Sequence, residues 1–227
     1  MPQTASSAVL LPRASAARII SFPAASRPAA EDDLPLRLLR HHTKNALQRI
    51  LAEVAQARGA EATPAGRRMI AEVERRIRLS AAVSDALFGL TRAPRGLEDR
   101  LRSLCEATVE LLGDPDQIIR LEVTVAGECP PSLQETLLRA AHEMVGNAVK
   151  HGLHMRLLGR IVVRLDMDGA RSRLSVEDDG WGFAGTRDEG QGLDLLRSLA
   201  AQHGGTARLG RITDGTLAEV ELPHAAS

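Results

Sequence analysis

Between Ala140 and Thr216, three clusters of polar residues and glycines follow one another, each where one element of regular structure gives way to the next. The first is Glu143-x-x-x-Asn147-Ala-x-Lys150-His151-Gly152, the second Asp178-Asp179-Gly180-Trp181-Gly182, and the third Gly190-Gln-Gly192-Leu193. Gly204-Gly205 and Gly215-Thr216 come afterwards, beside a terminal strand. Any one of these is common. In this order, and on these local structures, they restrict what the chain can fold into.

The periodicity around them supplies the frame. Leu34 to Arg58 reads as a helix with Leu47, Ile50, Leu51 and Val54 at helical spacing and Gly59 as its stop. Thr63-Pro64 is an N-cap and first-turn proline for a second helix, with Met69, Ile70, Val73, Ile77, Val83 and Leu87 along one side. Together they make an antiparallel hairpin over residues 34–90. Each helix has one apolar stripe and little to bury it against, so pairing of two copies into a four-helix bundle is the simplest solution.

Residues 91–96 form a linker by composition. Residues 97–223 then run helix (to Leu112, closed at Gly113), strand (Ile118 to Val125) and a long helix from Pro130-Pro131 through Val149. A hairpin of Ile161 to Asp166 and Arg173 to Glu177 turns at Asp168-Gly169; a helix from Leu193 to Gln202 and two short strands finish the chain. The fold class expected is α+β, with helices on one face of a mixed sheet. Residues 1–33, rich in Ala, Ser, Pro and Arg and without an acidic residue before Glu31, read as a disordered tail.

Composition narrows the function. A formal net charge of zero argues against a nucleic-acid binder that relies on bulk positive charge. No apolar run approaches the roughly 20 residues that cross a bilayer. Cys105 and Cys129 show neither metal spacing nor a disulfide framework, so a reducing cytoplasm is expected, and Cys105 reads as a small core residue. Any outside signal would arrive through another, upstream sensor protein.

Glu143, Asn147 and Lys150, spaced four and three apart, share one helical face. Carboxylate, amide and ammonium together suit a hydrated magnesium with phosphates: the Asn147 amide oxygen ligates the hard cation and the lysine offers a point charge to phosphate. Asp178, emerging from a strand end, can accept a hydrogen bond from the exocyclic amine of adenine, while Gly180 and Gly182 let backbone approach the base. Gly190 and Gly192 open a helix, where free N–H groups and the helix dipole favour phosphate. There is no Gly-Lys-Ser/Thr of a P-loop, and the pair does not follow a strand as a dinucleotide fingerprint would. The seven residues Phe183 to Glu189 would form a short lid.

These residues resemble the GHKL-type ATPase fold shared by gyrase, the MutL repair proteins, a heat-shock chaperone and histidine kinases, over roughly residues 97–222. The resemblance implies an α/β sandwich binding ATP and Mg2+. It assigns Glu143, Asn147, Lys150 and His151 to the asparagine box, Asp178, Gly180 and Gly182 to the first glycine box, and Gly190 and Gly192 to the second. Thr216 joins them from the last strand.

His41-His42-Thr43-Lys44-Asn45-Ala46-Leu47-Gln48 lies on the first helix. At about 100° per residue both histidines stand roughly 130° from the apolar stripe, and helical phase does not choose between them. The run resembles the phosphoacceptor box His-Arg-x-Lys-Asn-x-Leu-Gln of histidine kinases that include the HWE group. That register makes His41 the acceptor and puts His42 in the arginine's place. His142 before Glu143 and the short lid point the same way. Val176 and Asp178 stand where that group has tryptophan and glutamate, so the kinship is with the wider class.

The resemblance implies a sensor-less cytoplasmic histidine kinase, homodimeric through its hairpin, which phosphorylates His41 from Mg-ATP and passes the phosphoryl group to a response-regulator receiver domain. Glu143 would polarise the attacking group or a metal-bound water. Two other readings are a phosphotransfer adaptor with a vestigial ATPase-like domain and a serine kinase acting as an anti-sigma factor. Neither a nucleic acid nor a membrane is an expected partner.

Overall fold

The computed structural model describes residues 19–22, 63–88, 96–181 and 191–224. The expected first helix, with His41 and His42, lies outside the described residues, as do the linker residues before Gly96 and the segment from Gly182 to Gly190.

Helix α1 (Pro64–Phe88) starts as the sequence predicts: Thr63 Oγ1 accepts the Gly66 N–H at 3.0 Å, and proline occupies the first turn, where no N–H is needed. Its apolar stripe divides. Val83, Ala86 and Leu87 are buried in a core shared with Leu101 and Leu104 of α2 (Leu97–Leu112), whereas Met69 and Val73 near the start of α1 are exposed. Arg100 of α2 donates to the Ala86 and Leu87 carbonyls at 3.2 and 3.3 Å, capping acceptors left open at the α1 C-terminus. Gly113 ends α2 with its N–H on the Val109 carbonyl.

A mixed sheet follows. Strand β2 (Ile118–Ala126) pairs parallel with β3 (Leu158–Met167), and α3 (Pro131–Asn147) crosses between them over the sheet. The remaining pairings are antiparallel: β3 with β4 (Arg171–Asp178), β4 with β6 (Gly215–Pro223), and β6 with β5 (Thr206–Ile212). Helix α4 (Gln191–Gln202) precedes β5. The β3–β4 turn is where Asp168-Gly169 predicts it: Gly169 has φ +85°, and Asp168 Oδ1 accepts the N–H groups of Ala170 and Arg171.

One expectation needs correction. Within the stretch read as a disordered tail, Ile19–Phe22 forms a strand, β1, antiparallel to Ala207–Gly210 of β5, giving the sheet order β1-β5-β6-β4-β3-β2. Ile-Ile-Ser-Phe is a strong β-forming tetrad, and the outer edge of β5 offers unpaired backbone groups. Average composition over the first 33 residues hides a four-residue segment.

The sheet is amphipathic. Leu165, Leu174, Val176, Val220 and Leu222 are buried beneath α2, α3 and α4 together with Leu104, Leu138, Val145 and Leu199. The other face carries ion pairs, including Arg160–Glu122 at 2.9 Å, Arg173–Glu221 at 2.9 Å and Arg164–Glu177 at 3.6 Å. Exposed pairs of this kind add little to stability, and they keep that face of the sheet wet rather than adhesive. Cys105 is buried in the core, as the sequence suggests, and burial pushes its thiol up to about 12.

Candidate nucleotide site

The first cluster begins on α3. Asn147 Nδ2 donates to Glu143 Oε1 at 3.2 Å, as their spacing of four requires. With the amide nitrogen held this way, the Asn147 oxygen is left as an acceptor for a hard cation, a donor set that fits magnesium.

The α-helix does not continue through Val149 as its periodicity implies. It ends at Asn147, and Ala148–Gly152 forms a π-helical turn, with the Leu153 N–H reaching back five residues to the Ala148 carbonyl at 2.8 Å. Lys150 and His151 are exposed on that turn. Lys150 therefore sits within the π turn rather than on a continuation of the α-helix.

The turn delivers Gly152 to the second cluster. A Cβ on Gly152 would lie 2.5 Å from Asp178 Oδ1, and one on Gly180 would lie 2.0 Å from the Gly152 carbonyl oxygen, so only glycine fits at either position. Gly152 O accepts the Trp181 N–H at 3.0 Å. Asp178 occupies a core-facing register position of β4, after buried Ser172, Leu174 and Val176. Only 4% of it is exposed. Its carboxylate accepts the Gly180 N–H at 2.9 Å and hydrogen bonds from Thr216, its register partner on β6. Desolvation outweighs these bonds and raises its pKa to about 6.

The third cluster meets the first. A Cβ on Gly192, in the first turn of α4, would lie 2.0 Å from Glu143 Oε1 and 3.1 Å from Asn147 Nδ2. Of the sequence-derived site residues, the structure thus brings together Glu143, Asn147 and Gly192, and separately Asp178, Gly180 and Thr216, with the π turn joining the two groups. Gly182 and Gly190 lie outside the described residues. Two clefts, of about 520 Å³ between α1, α2 and β2 and about 360 Å³ at the β3–β4 turn, lie away from these residues. Among the described residues no group of three His, Cys, Asp or Glu could hold a metal.

Several supporting residues have no sequence signature. Arg156 donates to the Asp179 carbonyl and lies 5.8 Å from the centre of the Trp181 ring, whose Nε1 donates to the His154 carbonyl at 2.9 Å. Trp181 is 66% exposed and so is not core. Gln117 Nε2 donates to the carbonyls of Leu153 and Arg156, both at 2.9 Å, bracing the same loop. His142 points away from the site: its Nδ1 lies 3.0 Å from Thr108 Oγ1, whose hydroxyl donates to the Leu104 carbonyl. The hydroxyl proton being committed, His142 Nδ1–H donates, and burial, the largest influence, holds its pKa below the ordinary value.

Comparison with known proteins agrees with this geometry. No curated protein matches the sequence. The fold is similar to the histidine kinase domain of the Erythrobacter litoralis blue-light-activated histidine kinase EL346, with TM-score 0.53 and 21% identity over 79% of this chain and 95% of that one. A longer form of that kinase aligns with TM-score 0.52 and 19% identity, over 91% and 70% of the two chains. Among the described residues no helix is long and apolar enough to cross a membrane. Residues 132–226 match the model of the family of histidine kinase-, DNA gyrase B- and HSP90-like ATPases.

Proposed function

We propose that this chain is a cytoplasmic histidine kinase of the short-lid, HWE-like kind, which phosphorylates His41 from Mg-ATP and hands the phosphoryl group to an aspartate of a response-regulator receiver domain. One observation carries the reading. Asp178 with Gly152, and Glu143 and Asn147 with Gly192, converge at one end of the sheet in a chain whose earlier segment reads His-His-x-Lys-Asn-x-Leu-Gln.

Asp178 would accept the adenine amine, a donor suited to a buried carboxylate with spare lone pairs. Gly152 and Gly180 leave room for the base edge. Asn147 would ligate Mg2+, Lys150 would pair with phosphate from its exposed position, and the α4 N-terminus at Gly192 would offer backbone N–H groups. Mg2+ would neutralise phosphate charge. A neutral His41 ring nitrogen would attack the γ-phosphorus in line, forming a P–N bond as the bond to ADP breaks. Positioning and charge neutralisation dominate such a step. Glu143, held by Asn147, would orient the attacking group. The exposed Met69 and Val73 of α1 support a hairpin with residues 34–58 and a homodimer through it.

Incubation with labelled ATP and magnesium tests this. Wild type should acquire an acid-labile, base-stable label that His41→Gln lacks and His42→Gln keeps, and that moves to a receiver domain when one is added. Nucleotide binding without any label on the chain would sink the kinase reading. No binding at millimolar ATP would favour an adaptor with a vestigial ATPase-like domain.

A further inference from the structure

Five large apolar side chains, Ile118, Met155, Leu157, Leu158 and Trp181, are between 65 and 82% exposed. They are not scattered. Ile118 and Leu158 are register partners, the Ile118 N–H donates to the Leu157 carbonyl at 2.8 Å, and Trp181 is bonded to the residue before Met155. Met155 holds φ +59°, a conformation rare outside glycine, and its side chain is the most exposed of the group. Exposed apolar side chains gathered on neighbouring backbone form an apolar rim, a candidate docking surface.

The direction of β1 says what can reach it. Asp178 ends β4, Thr216 pairs with it at the start of β6, Gly215 pairs with Ile212 at the end of β5, and Ile19 starts β1 opposite Gly210. Ile19 therefore begins β1 at the end of the sheet where the apolar rim lies. Four strand spacings of about 4.8 Å set β3 roughly 19 Å from β1. The chain from Leu11 to Ile19, extended at about 3.3 Å per residue, spans roughly 26 Å. Ala8-Val9-Leu10-Leu11 is the apolar run of that segment.

We propose that Ala8–Leu11 of this same chain docks on the apolar rim formed by Ile118, Met155, Leu157, Leu158 and Trp181, with β1 as its anchor. The short tether gives the contact a millimolar effective concentration, so modest apolar burial suffices to close it. Trp181 is the chain's one tryptophan, and it lies beside the Gly152–Asp178 contact, so the docked segment borders the nucleotide site.

That tryptophan is also the reporter. In nucleotide-free full-length protein, acrylamide quenching and the emission maximum of Trp181 are compared with those of a variant carrying Val9→Ser, Leu10→Ser and Leu11→Ser. Docking requires at least a 2-fold larger quenching constant and a red shift in the variant, with an unchanged far-UV spectrum. Ile20→Pro, which breaks the anchor, should reproduce the effect. Equal quenching in wild type and triple variant overturns the proposal. Protection that appears only as protein concentration rises also overturns it, because the occupant is then a second copy. None of these readings depends on phosphorylation of His41.

Discussion

Asp178 sits in a core-facing slot where its strand otherwise places Leu174 and Val176, and its carboxylate is held at about 6 against an ordinary 3.8 by desolvation. A group whose folded pKa is raised favours the folded state most at low pH, and that advantage is lost as pH rises through the folded value. At 1.36 kcal/mol per pKa unit, ionised Asp178 costs on the order of 3 kcal/mol above pH 7, a sizeable part of a typical domain's 5–15 kcal/mol. Asp178→Asn removes the titration while the amide oxygen still accepts the Gly180 N–H. Between pH 5 and pH 8 wild type should lose about 1.4 kcal/mol relative to Asp178→Asn. Urea denaturation of both proteins at the two pH values measures this. Nucleotide binding should respond oppositely: Asp178→Asn should bind ATP at least about 10-fold more weakly at pH 8, and wild-type affinity should fall as pH drops below about 6. A stability difference independent of pH, or one that grows toward acid, would refute the claim that this carboxylate is held in a costly state for a ligand.

Gly192→Ala places a methyl 2.0 Å from Glu143 Oε1, the movable end of a side chain. The melting temperature should change little while the rate of labelling from ATP falls at least about 10-fold. Gly215→Ala differs in kind: its Cβ would lie 1.7 Å from the Asp178 carbonyl oxygen, at φ +138°. It should destabilise the protein by about 3 kcal/mol or more, read as a lower urea midpoint. Thr108→Val strands the His142 N–H inside the α2–α3 interface and should cost about 1–3 kcal/mol, whereas Thr108→Ser should largely restore stability.

The described helices and the central strands were legible because their signals are local. Alternating burial along β4 and the Thr63-Pro64 start of α1 follow from the side chains themselves. The place of Asp178 at the end of β4 was legible too, since it continues the alternation of Leu174 and Val176. What escaped the sequence depends on partners distant in the chain. β1 needs the edge of β5 about 190 residues away, and a tetrad with three apolar residues does not announce it alone. Arg156 and Gln117 act through backbone carbonyls, which carry no residue identity to match. The split of the α1 stripe, buried at Val83 and exposed at Met69, is invisible to a period that runs unbroken through both.

The π turn departs from the regular helix that the spacing of Glu143, Asn147 and Lys150 presumes. Inserting one residue into the helical ladder turns everything after it by about 100° and advances the chain by one extra residue. Lys150 lies within that turn, and Gly152 ends it. There the backbone of Gly152 turns inward, where its carbonyl takes the Trp181 N–H and its missing side chain admits the Asp178 carboxylate. A regular helix would serve the phosphate end of a nucleotide alone. The irregular one joins the residues suited to magnesium and phosphate to the carboxylate suited to adenine, across five residues of backbone without an intervening loop. Because Asn147 ends α3 and Asp178 ends β4, a shift of α3 relative to the sheet would act first on the Gly152–Asp178 contact, where the two groups of residues meet.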